Sequence, residues 1–191
     1  MSGIFTLANK NRSQTTLKEL ELSKGFYVLD LGCGNGCTLL DVFKACPDCF
    51  TIGVDRSKTI ATVAQRNVAH GSGQNINITL SDWSALPFVS QKFDRAVASN
   101  VIYFWENTDN VLTEIHRVLK PSGRLTILFQ PISHDSQDKF ARYGYRTYSQ
   151  EEVSEALQKN GFRVSGMKKR TEQNKNDSWD VLWLTATSRP R

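Results

Sequence analysis

An apolar run that breaks into three alternate glycines constrains this chain more than any other feature. Tyr27 to Leu31 fits a buried strand, and Gly32, Gly34 and Gly36 follow it at once. A helical pattern then runs from Cys37 to Cys46. Because glycine has no Cβ, the backbone turns tightly there and comes close to a ligand. The first turn of the following helix presents unpaired N–H groups to an anionic group. The segment therefore predicts a nucleotide-type pocket at the carboxyl end of a first strand.

Strands and helices alternate along the rest of the chain. The further predicted strands are Phe50 to Asp55, Ile76 to Asp82, Phe93 to Asn100, Leu125 to Phe129, Phe162 to Lys168 and Trp179 to Thr187. Helical patterns cover Ser57 to Ala69, Asn107 to Lys120 and Ser149 to Leu157. This alternation is typical of βαβ units. We predict a single α/β domain over residues 1–191, with a Rossmann-like, open, mostly parallel seven-stranded sheet, helices on both faces and the last strand antiparallel.

Composition and cysteine usage exclude several classes of protein. Hydrophobic residues make up 39% and charged residues 23% of the chain, as in ordinary soluble domains. No apolar run approaches the ~20 residues of a membrane span, and the start lacks the features of a signal peptide. We therefore expect a cytoplasmic protein without a membrane span. Cys46-Pro-Asp-Cys49 has the spacing of zinc or redox pairs, and Cys33 and Cys37 lie close by. Because no histidine stands nearby at ligand spacing, we expect reduced thiols and no metal.

The net charge of +5 leaves two interpretations open. Much of the excess lies late in the chain, at Lys168 to Arg170, Lys175 and Arg189 to Arg191. Such a patch suits nucleic acid or anionic lipid, but it is also typical of a solvated face and a frayed terminus. The charge alone does not decide between them.

Two carboxylates extend the nucleotide prediction. Asp55 and Asp82 end the second and third predicted strands, where ligands bind in open α/β sheets. Asp55 is placed to accept hydrogen bonds from ribose hydroxyls, and Asp82 to accept one from an exocyclic amine, with Trp83 and Leu86 as flat apolar walls. A helix cap for Asp55 and a turn for Asp82 are the simpler alternatives. The Gly-x-Gly-x-Gly spacing differs from the dinucleotide fingerprint, and no Lys-Ser/Thr pair of a P-loop follows.

Six short motifs combine these features in a characteristic order and spacing. They are Asp30-Leu-Gly-Cys-Gly-Asn-Gly36, Gly53-Val-Asp55, Ser81-Asp82-Trp83, Phe93-Asp94, Ala98-Ser-Asn100 and Val118-Leu-Lys-Pro-Ser-Gly123. In them the chain resembles the class I S-adenosylmethionine-dependent methyltransferases, from about Leu17 to Thr187. It is most similar to the small-molecule type that includes the ubiquinone and menaquinone methylases. The resemblance implies S-adenosylmethionine as cofactor and S-adenosylhomocysteine as product.

The resemblance implies that ten residues contact the cofactor. Around the methionine part it places Asp30, Gly32, Cys33 and Gly34. On the ribose and adenine side it places Asp55, Arg56, Asp82 and the backbone of Trp83. Beside the methionine amine and the methyl group it places Ser99 and Asn100. Residues 1–22 are expected to form an N-terminal helix or a lid that closes over the cofactor, with Asn9, Asn11 and Arg12 as candidates for that lid. The alternative is that these three residues belong to a flexible tail.

Catalysis needs little chemistry from side chains in such a family. Methyl transfer is an in-line displacement at an activated sulfonium carbon, so alignment is the main contribution. A general base helps only when the nucleophile must lose a proton. Tyr103 and His134 follow the fourth and fifth predicted strands and are the two candidates for that base. The alternatives are a packing role for Tyr103 and a plain loop position for His134.

The acceptor is expected to bind the loop Pro131 to Tyr148, which holds the aromatic residues Phe140, Tyr143, Tyr145 and Tyr148. Such a pocket suits a small, partly aromatic or apolar molecule. The leading hypothesis is a small-molecule methyltransferase acting on O, N or C. An RNA or protein acceptor bound through a basic face is the second hypothesis. A non-catalytic cofactor-binding module is the third.

Overall fold

The computed structural model describes residues 2–71, 75–132, 145–173 and 178–190, and for residues 2–10, 70 and 71 it describes the backbone alone. The helices are α1 (Ser2–Leu20), α2 (Cys37–Ala45), α3 (Lys58–Gly71), α4 (Thr108–Val118) and α5 (Gln150–Lys159), with a 3-10 turn at Ile102–Phe104. The strands are β1 (Tyr27–Leu31), β2 (Phe50–Asp55), β3 (Ile76–Leu80), β4 (Phe93–Ser99), β5 (Leu119–Phe129), β6 (Phe162–Gln173) and β7 (Ser178–Ser188). Within the described part of the chain, no helix is both long and apolar enough to cross a bilayer.

The seven strands form one sheet in the order β3-β2-β1-β4-β5-β7-β6. Strands β1 to β5 are all parallel to one another, whereas β7 is antiparallel to both β5 and β6. The predicted sheet, including its antiparallel last strand, is confirmed. The strand order reverses between β1 and β4, and ligands bind at such a switch point, outside the carboxyl ends of the strands.

Apolar side chains on both faces of the sheet pack against the helices. Helix α4 contributes Val111, Leu112, Ile115 and Val118 to the large core on one face. A smaller cluster on the other face joins Leu20 of α1 to Val42 of α2 and to the central strands. A third cluster fixes α2 and α3 to the β2 and β3 side. The first two clusters therefore hold the central strands between helices.

Strand β5 begins earlier than predicted. The sequence predicts a stop at Pro121-Ser-Gly123 and a strand from Leu125, but Phe93 pairs with Leu119 before the register shifts to Arg95 opposite Arg124. The predicted breaker is present as a bulge inside the strand, and Ser122 has a positive φ of 64°. The prediction found the local turn and missed the pairing that flanks it.

Helix α1 is fastened to the sheet at several points. Its last carbonyls accept hydrogen bonds from two strand arginines, Glu19 from Arg124 (3.1 Å) and Leu20 from Arg95 (2.5 Å). The indole of Trp183 donates to Thr16 (3.0 Å). The expected N-terminal helix is present, and its closure over a cofactor stays a prediction.

Replacing Ser149 tests the local origin of α5. Ser149 and Glu152 form a reciprocal capping box, in which each side chain bonds the other's backbone N–H. We expect Ser149→Ala to lower the free energy of unfolding by about 1 kcal/mol in urea denaturation, because an N-terminal N–H loses its partner. Ser154→Ala is the matched control, since its hydroxyl bonds the Gln150 carbonyl within the helix. Equal losses for the two variants would contradict the capping role.

Candidate functional site at the carboxyl edge

The glycine turn is held against the end of β2 by main-chain hydrogen bonds. The N–H groups of Gly32 (2.8 Å) and Cys33 (3.0 Å) both donate to the carbonyl of Val54. Gly32, Gly34 and Gly36 have φ of 67°, 54° and 85°, a region that other residues seldom occupy. Gly36 is the N-cap of α2. The alternate glycines are therefore required by the backbone path.

Two of these glycines differ in what a side chain would meet. A Cβ on Gly32 would lie 2.4 Å from Cγ2 of Val101, so protein already fills that space. A Cβ on Gly34 would meet no atom within 4 Å. Gly34 thus leaves open space beside the backbone, as the close approach of a ligand requires.

Asp55 links the turn to β2. Its Oδ2 accepts a hydrogen bond from Gly34 N–H (3.2 Å), and its Oδ1 accepts one from Ser57 N–H (2.9 Å). The side chain is buried at the end of the strand, as predicted. Each oxygen accepts one bond from the chain and retains capacity for another, because a carboxylate offers about four acceptor sites. Ser57, whose Oγ accepts from Ile60 N–H (3.3 Å), caps α3 itself.

Asp30 is a buried carboxyl group without a protein partner in the described part of the chain. Neither Oδ1 nor Oδ2 has a hydrogen bond there. Burial, followed by the charge of Asp55, raises the pKa of Asp30 from 3.8 to about 8. A buried polar group normally has a partner, and an opposite charge would favour its ionised form. A cationic ligand group beside the glycine turn meets this need, so the residues present fit the ammonium end of a methionine-type cofactor.

The residues predicted for the adenine side lie in a turn after β3 and in the adjoining core. Asp82 Oδ1 accepts from the backbone N–H (2.7 Å) and the hydroxyl (2.6 Å) of Ser84, and these bonds lower its pKa. Asp82 therefore closes a turn. The side chains of Trp83 and Leu86 are buried in the main core. The Arg56 guanidinium lies 5.2 Å from the Trp83 ring centroid.

Leu80 is a residue of this edge that sequence reasoning missed. It pairs with Asp55 across β2 and β3, and 53% of its surface is exposed. Paired residues of parallel strands share a face, so Leu80 stands beside Asp55 as an uncovered apolar wall. In the sequence, Ile76, Ile78 and Leu80 alternate with polar residues. This spacing indicates that Leu80 lies on the apolar face of β3.

The end of β4 carries a left-handed backbone conformation that residues other than glycine seldom adopt, although asparagine is among those that tolerate it best. Asn100 has φ of 54°, and its N–H donates to the carbonyl of Leu128 (2.8 Å). Such conformations concentrate at functional sites. Ser99 ends β4 directly before it, opposite Leu128 of β5. Both residues thus lie at the switch point between β1 and β4.

Tyr103 lies in the 3-10 turn after β4 and is buried. Its hydroxyl accepts a hydrogen bond from the N–H of Gln130 (2.5 Å), directly after β5. This contact favours a positioning role over that of a base. His134, the other candidate base, lies outside the described residues, as do Phe140 and Tyr143.

Aromatic and apolar groups surround the neck of the predicted acceptor loop. The N–H of Ile132 donates to the carbonyl of Tyr148 (3.0 Å), which closes that neck. The rings of Phe104 and Tyr145 meet edge to face at 4.9 Å, and both are partly exposed, as is Ile132. A cavity of about 280 Å³ lies nearby, lined by Glu106, Asn107, Thr108, Asp109, Arg146, Tyr148, Glu152 and Ala156.

The late basic residues are partly neutralised by ion pairs. Lys169 pairs with Asp180 (2.6 Å), and Lys168 lies 3.7 Å from Glu19. Arg12 forms a two-pronged pair with Glu172 of β6. The described residues contain no group of three or more His, Cys, Asp or Glu side chains suited to hold a metal ion.

Comparisons with known proteins agree with this geometry. Residues 22–179 match the family described as a methyltransferase domain. The chain is 35% identical over 128 residues to a demethylmenaquinone methyltransferase of Symbiobacterium thermophilum, covering 65% of this chain and 49% of that protein. It is 33% identical over 133 residues to the sterol 4-C-methyltransferase strm-1 of Caenorhabditis elegans, covering 68% and 38%. The chain thus spans half or less of the length of these two relatives.

The fold is also that of a solved methyltransferase. Phosphoethanolamine N-methyltransferase 2 of Haemonchus contortus, in complex with phosphomonomethylethanolamine and S-adenosylhomocysteine, superposes with a TM-score of 0.80. The two share 19% sequence identity, and the likeness covers 94% of this chain and 53% of that one.

A pair of alanine substitutions separates the two glycine roles. We expect Gly34→Ala to lower the free energy of unfolding by about 1–2 kcal/mol through backbone strain alone. For Gly32→Ala we expect the same strain and a further loss of about 1–3 kcal/mol in the free energy of unfolding, because the new Cβ would overlap Val101. Urea denaturation measures both losses. Val101→Ala, combined with Gly32→Ala, should recover part of the second loss, and no recovery would contradict the steric explanation.

The raised pKa of Asp30 predicts a stability that falls with pH. Between about pH 4 and 8 the folded protein keeps a proton that the unfolded chain releases, so stability declines as pH rises through this window. The slope reaches at most about 1.4 kcal/mol per pH unit. We expect Asp30→Asn to remove this decline in urea denaturation without ligand. Asp48→Asn, at an exposed site paired with Lys24, should keep it; parallel curves for Asp30→Asn and the natural chain would refute the assignment.

Proposed function

The chain belongs to the class I S-adenosylmethionine-dependent methyltransferases, and from this we propose that it transfers a methyl group to a small-molecule acceptor. One observation carries the proposal within the fold: the buried carboxyl group of Asp30, which has no hydrogen-bond partner among the described residues, lies two residues before the turn's first glycine and four before Gly34. A cationic ligand group there would supply both a hydrogen-bond donor and the opposite charge that the ionised form of this carboxyl group requires. The proposed location is the cytoplasm.

S-adenosylmethionine supplies a methyl group on a cationic sulfonium. For its methionine part we assign Asp30, Gly32, Cys33 and Gly34. The carboxylate of Asp30 balances the ligand's ammonium charge, and Gly34 leaves the space beside its backbone free. A cation close to Asp30 would also return the pKa of this residue toward its ordinary value, because opposite charge favours the ionised form.

We assign Asp55 to the ribose hydroxyls. Its two oxygens are already oriented by Gly34 and Ser57, so the carboxylate needs no rearrangement to accept further hydrogen bonds. Asp82 and the Trp83 backbone remain the proposed adenine contacts, with Arg56 and the exposed Leu80 as walls. The buried Trp83 ring supports that turn from beneath.

Ser99, Asn100 and Tyr103 are the proposed neighbours of the transferring methyl group. Aligning nucleophile and methyl contributes up to about 7–11 kcal/mol in favourable cases. Tyr103 suits alignment because its hydroxyl holds Gln130 and so joins the ends of β4 and β5. Its role is therefore that of a positioning residue.

Two independent features support a small acceptor. The exposed apolar groups Phe104, Ile132 and Tyr145 gather beside the proposed methyl position. The relatives' names give demethylmenaquinone and a sterol as acceptors, both small molecules. An RNA or protein acceptor has less support, because Lys168 and Lys169 of β6 form ion pairs with Glu19 and Asp180.

Replacing Asp55 tests the cofactor assignment. We expect Asp55→Asn to weaken S-adenosylmethionine binding tenfold or more in calorimetry, because a charged hydrogen bond contributes about 1.5–3 kcal/mol. The matched control is Asp48→Asn at the opposite edge, which should bind normally. Unchanged affinity in Asp55→Asn would refute the ribose assignment.

Transfer itself is tested with S-adenosylmethionine carrying a labelled methyl group. Demethylmenaquinone, a sterol and bulk tRNA serve as acceptors for the purified chain. We expect label in a small molecule only. Transfer to tRNA, with binding that falls steeply as salt rises, would favour the macromolecular hypothesis. Tight cofactor binding without transfer to any acceptor would favour a non-catalytic module.

A further inference from the structure

The Cys46–Cys49 pair lies in a tight turn at the amino edge of the sheet, away from the proposed cofactor site. Cys46 is the C-cap of α2, and Cys49 directly precedes β2. The N–H of Cys49 donates to the carbonyl of Cys46 (3.0 Å), which closes a four-residue turn with Pro47 in its second position. Such a turn brings its end Cα atoms within about 7 Å, close to the range of a disulfide.

The two thiols are also in contact and differ in access. The Cys49 thiol is hydrogen-bonded to Cys46. Cys49 is only 1% exposed, in the cluster that joins α1 and α2 to the sheet, whereas Cys46 lies at its half-buried rim. A reagent in solution therefore reaches Cys46 first, and Cys49 is already beside it.

We propose that Cys46 and Cys49 form a reversible disulfide, a redox site separate from methyl transfer. Burial, then the hydrogen bond with Cys46, raises the pKa of Cys49 to about 12. At neutral pH Cys49 is therefore a thiol, and Cys46, the more accessible of the two, is the sulfur that reacts first with a small disulfide such as glutathione disulfide.

The exchange proceeds in two balanced steps. The Cys46 thiolate attacks one sulfur of glutathione disulfide, and a glutathione thiolate leaves, taking up the proton that Cys46 released. Cys49 then loses its proton and attacks the Cys46 sulfur, and the second glutathione leaves. The protein gives up two electrons and two protons, and one glutathione disulfide becomes two glutathione thiols.

Oxidation removes a contact to the α1–β1 connection. The reduced Cys49 thiol donates to the carbonyl of Ser23 (3.3 Å), and Gly25 N–H donates to Asp48 in the same turn (3.1 Å). A disulfide has no thiol proton, so Ser23 loses its donor while the Gly25 bond remains. Hydrogen exchange around residues 23–25 should report the redox state.

Mass spectrometry of the intact chain under non-reducing conditions tests the proposal. After incubation with glutathione disulfide, we expect a loss of two hydrogens that maps to the peptide holding both cysteines and is reversed by dithiothreitol. Cys49→Ala should instead accumulate a persistent glutathione adduct on Cys46. The control Cys37→Ser, which removes an exposed thiol outside the turn, should form the disulfide normally.

Two results would overturn the proposal. One is a stable glutathione adduct on Cys46 of the natural chain without a disulfide. The other is an unreacted Cys46–Cys49 pair while Cys37 takes up glutathione. Both are read on the natural sequence, so they do not depend on the folding of any variant.

Discussion

The hydrogen bonds that the Val54 carbonyl accepts from Gly32 and Cys33 organise the whole carboxyl edge. They fold the end of β1 against the end of β2, which brings Gly34 within reach of Asp55. Gly53 permits this approach, because a Cβ there would lie 2.9 Å from the Cys33 side chain. One shared acceptor thus sets the turn, the start of α2 and the orientation of the acidic residue. Any side chain at position 53 would collide with Cys33 and Leu39 and would push the turn and α2 away from β2.

The connection between β3 and β4 depends on a different element. Residues 81–92 contain no helix of their own. Arg117 of α4 donates to the carbonyls of Leu86 (3.0 Å) and Phe88 (2.8 Å), and Glu114 accepts from Leu86 N–H (2.8 Å). The same two side chains bind each other at 2.7 Å. Helix α4 therefore holds, through polar contacts, the segment that carries Asp82. It links the proposed cofactor side of the site to the proposed acceptor side.

Local patterns predicted the order of elements, because several element boundaries coincide with a glycine, a carboxylate or a helix cap. They did not predict the pairing of Phe93 with Leu119, since register depends on a partner distant in sequence. For the site, spacing located Asp55 at the end of its strand. It did not reveal that Tyr103 binds Gln130, or that Leu80 stays uncovered, because both depend on where β5 and β3 end in space. The resemblance, and not spacing, is the basis on which Asp30 is proposed to lie beside the cofactor.

Asp30 shows why such a site is tolerated in a stable fold. An ionised carboxylate that is fully buried without a partner would be costly, and the raised pKa lets the group remain protonated instead. The neutral acid still lacks a hydrogen-bond partner among the described residues. Hydrophobic packing of β1 between two layers of helices must therefore offset this local deficit. A cationic ligand would relieve it by favouring the ionised form, so part of the binding free energy comes from a group that the ligand-free fold leaves unsatisfied. In the proposed complex the same residue would therefore stabilise the bound state at a cost to the stability of the free protein.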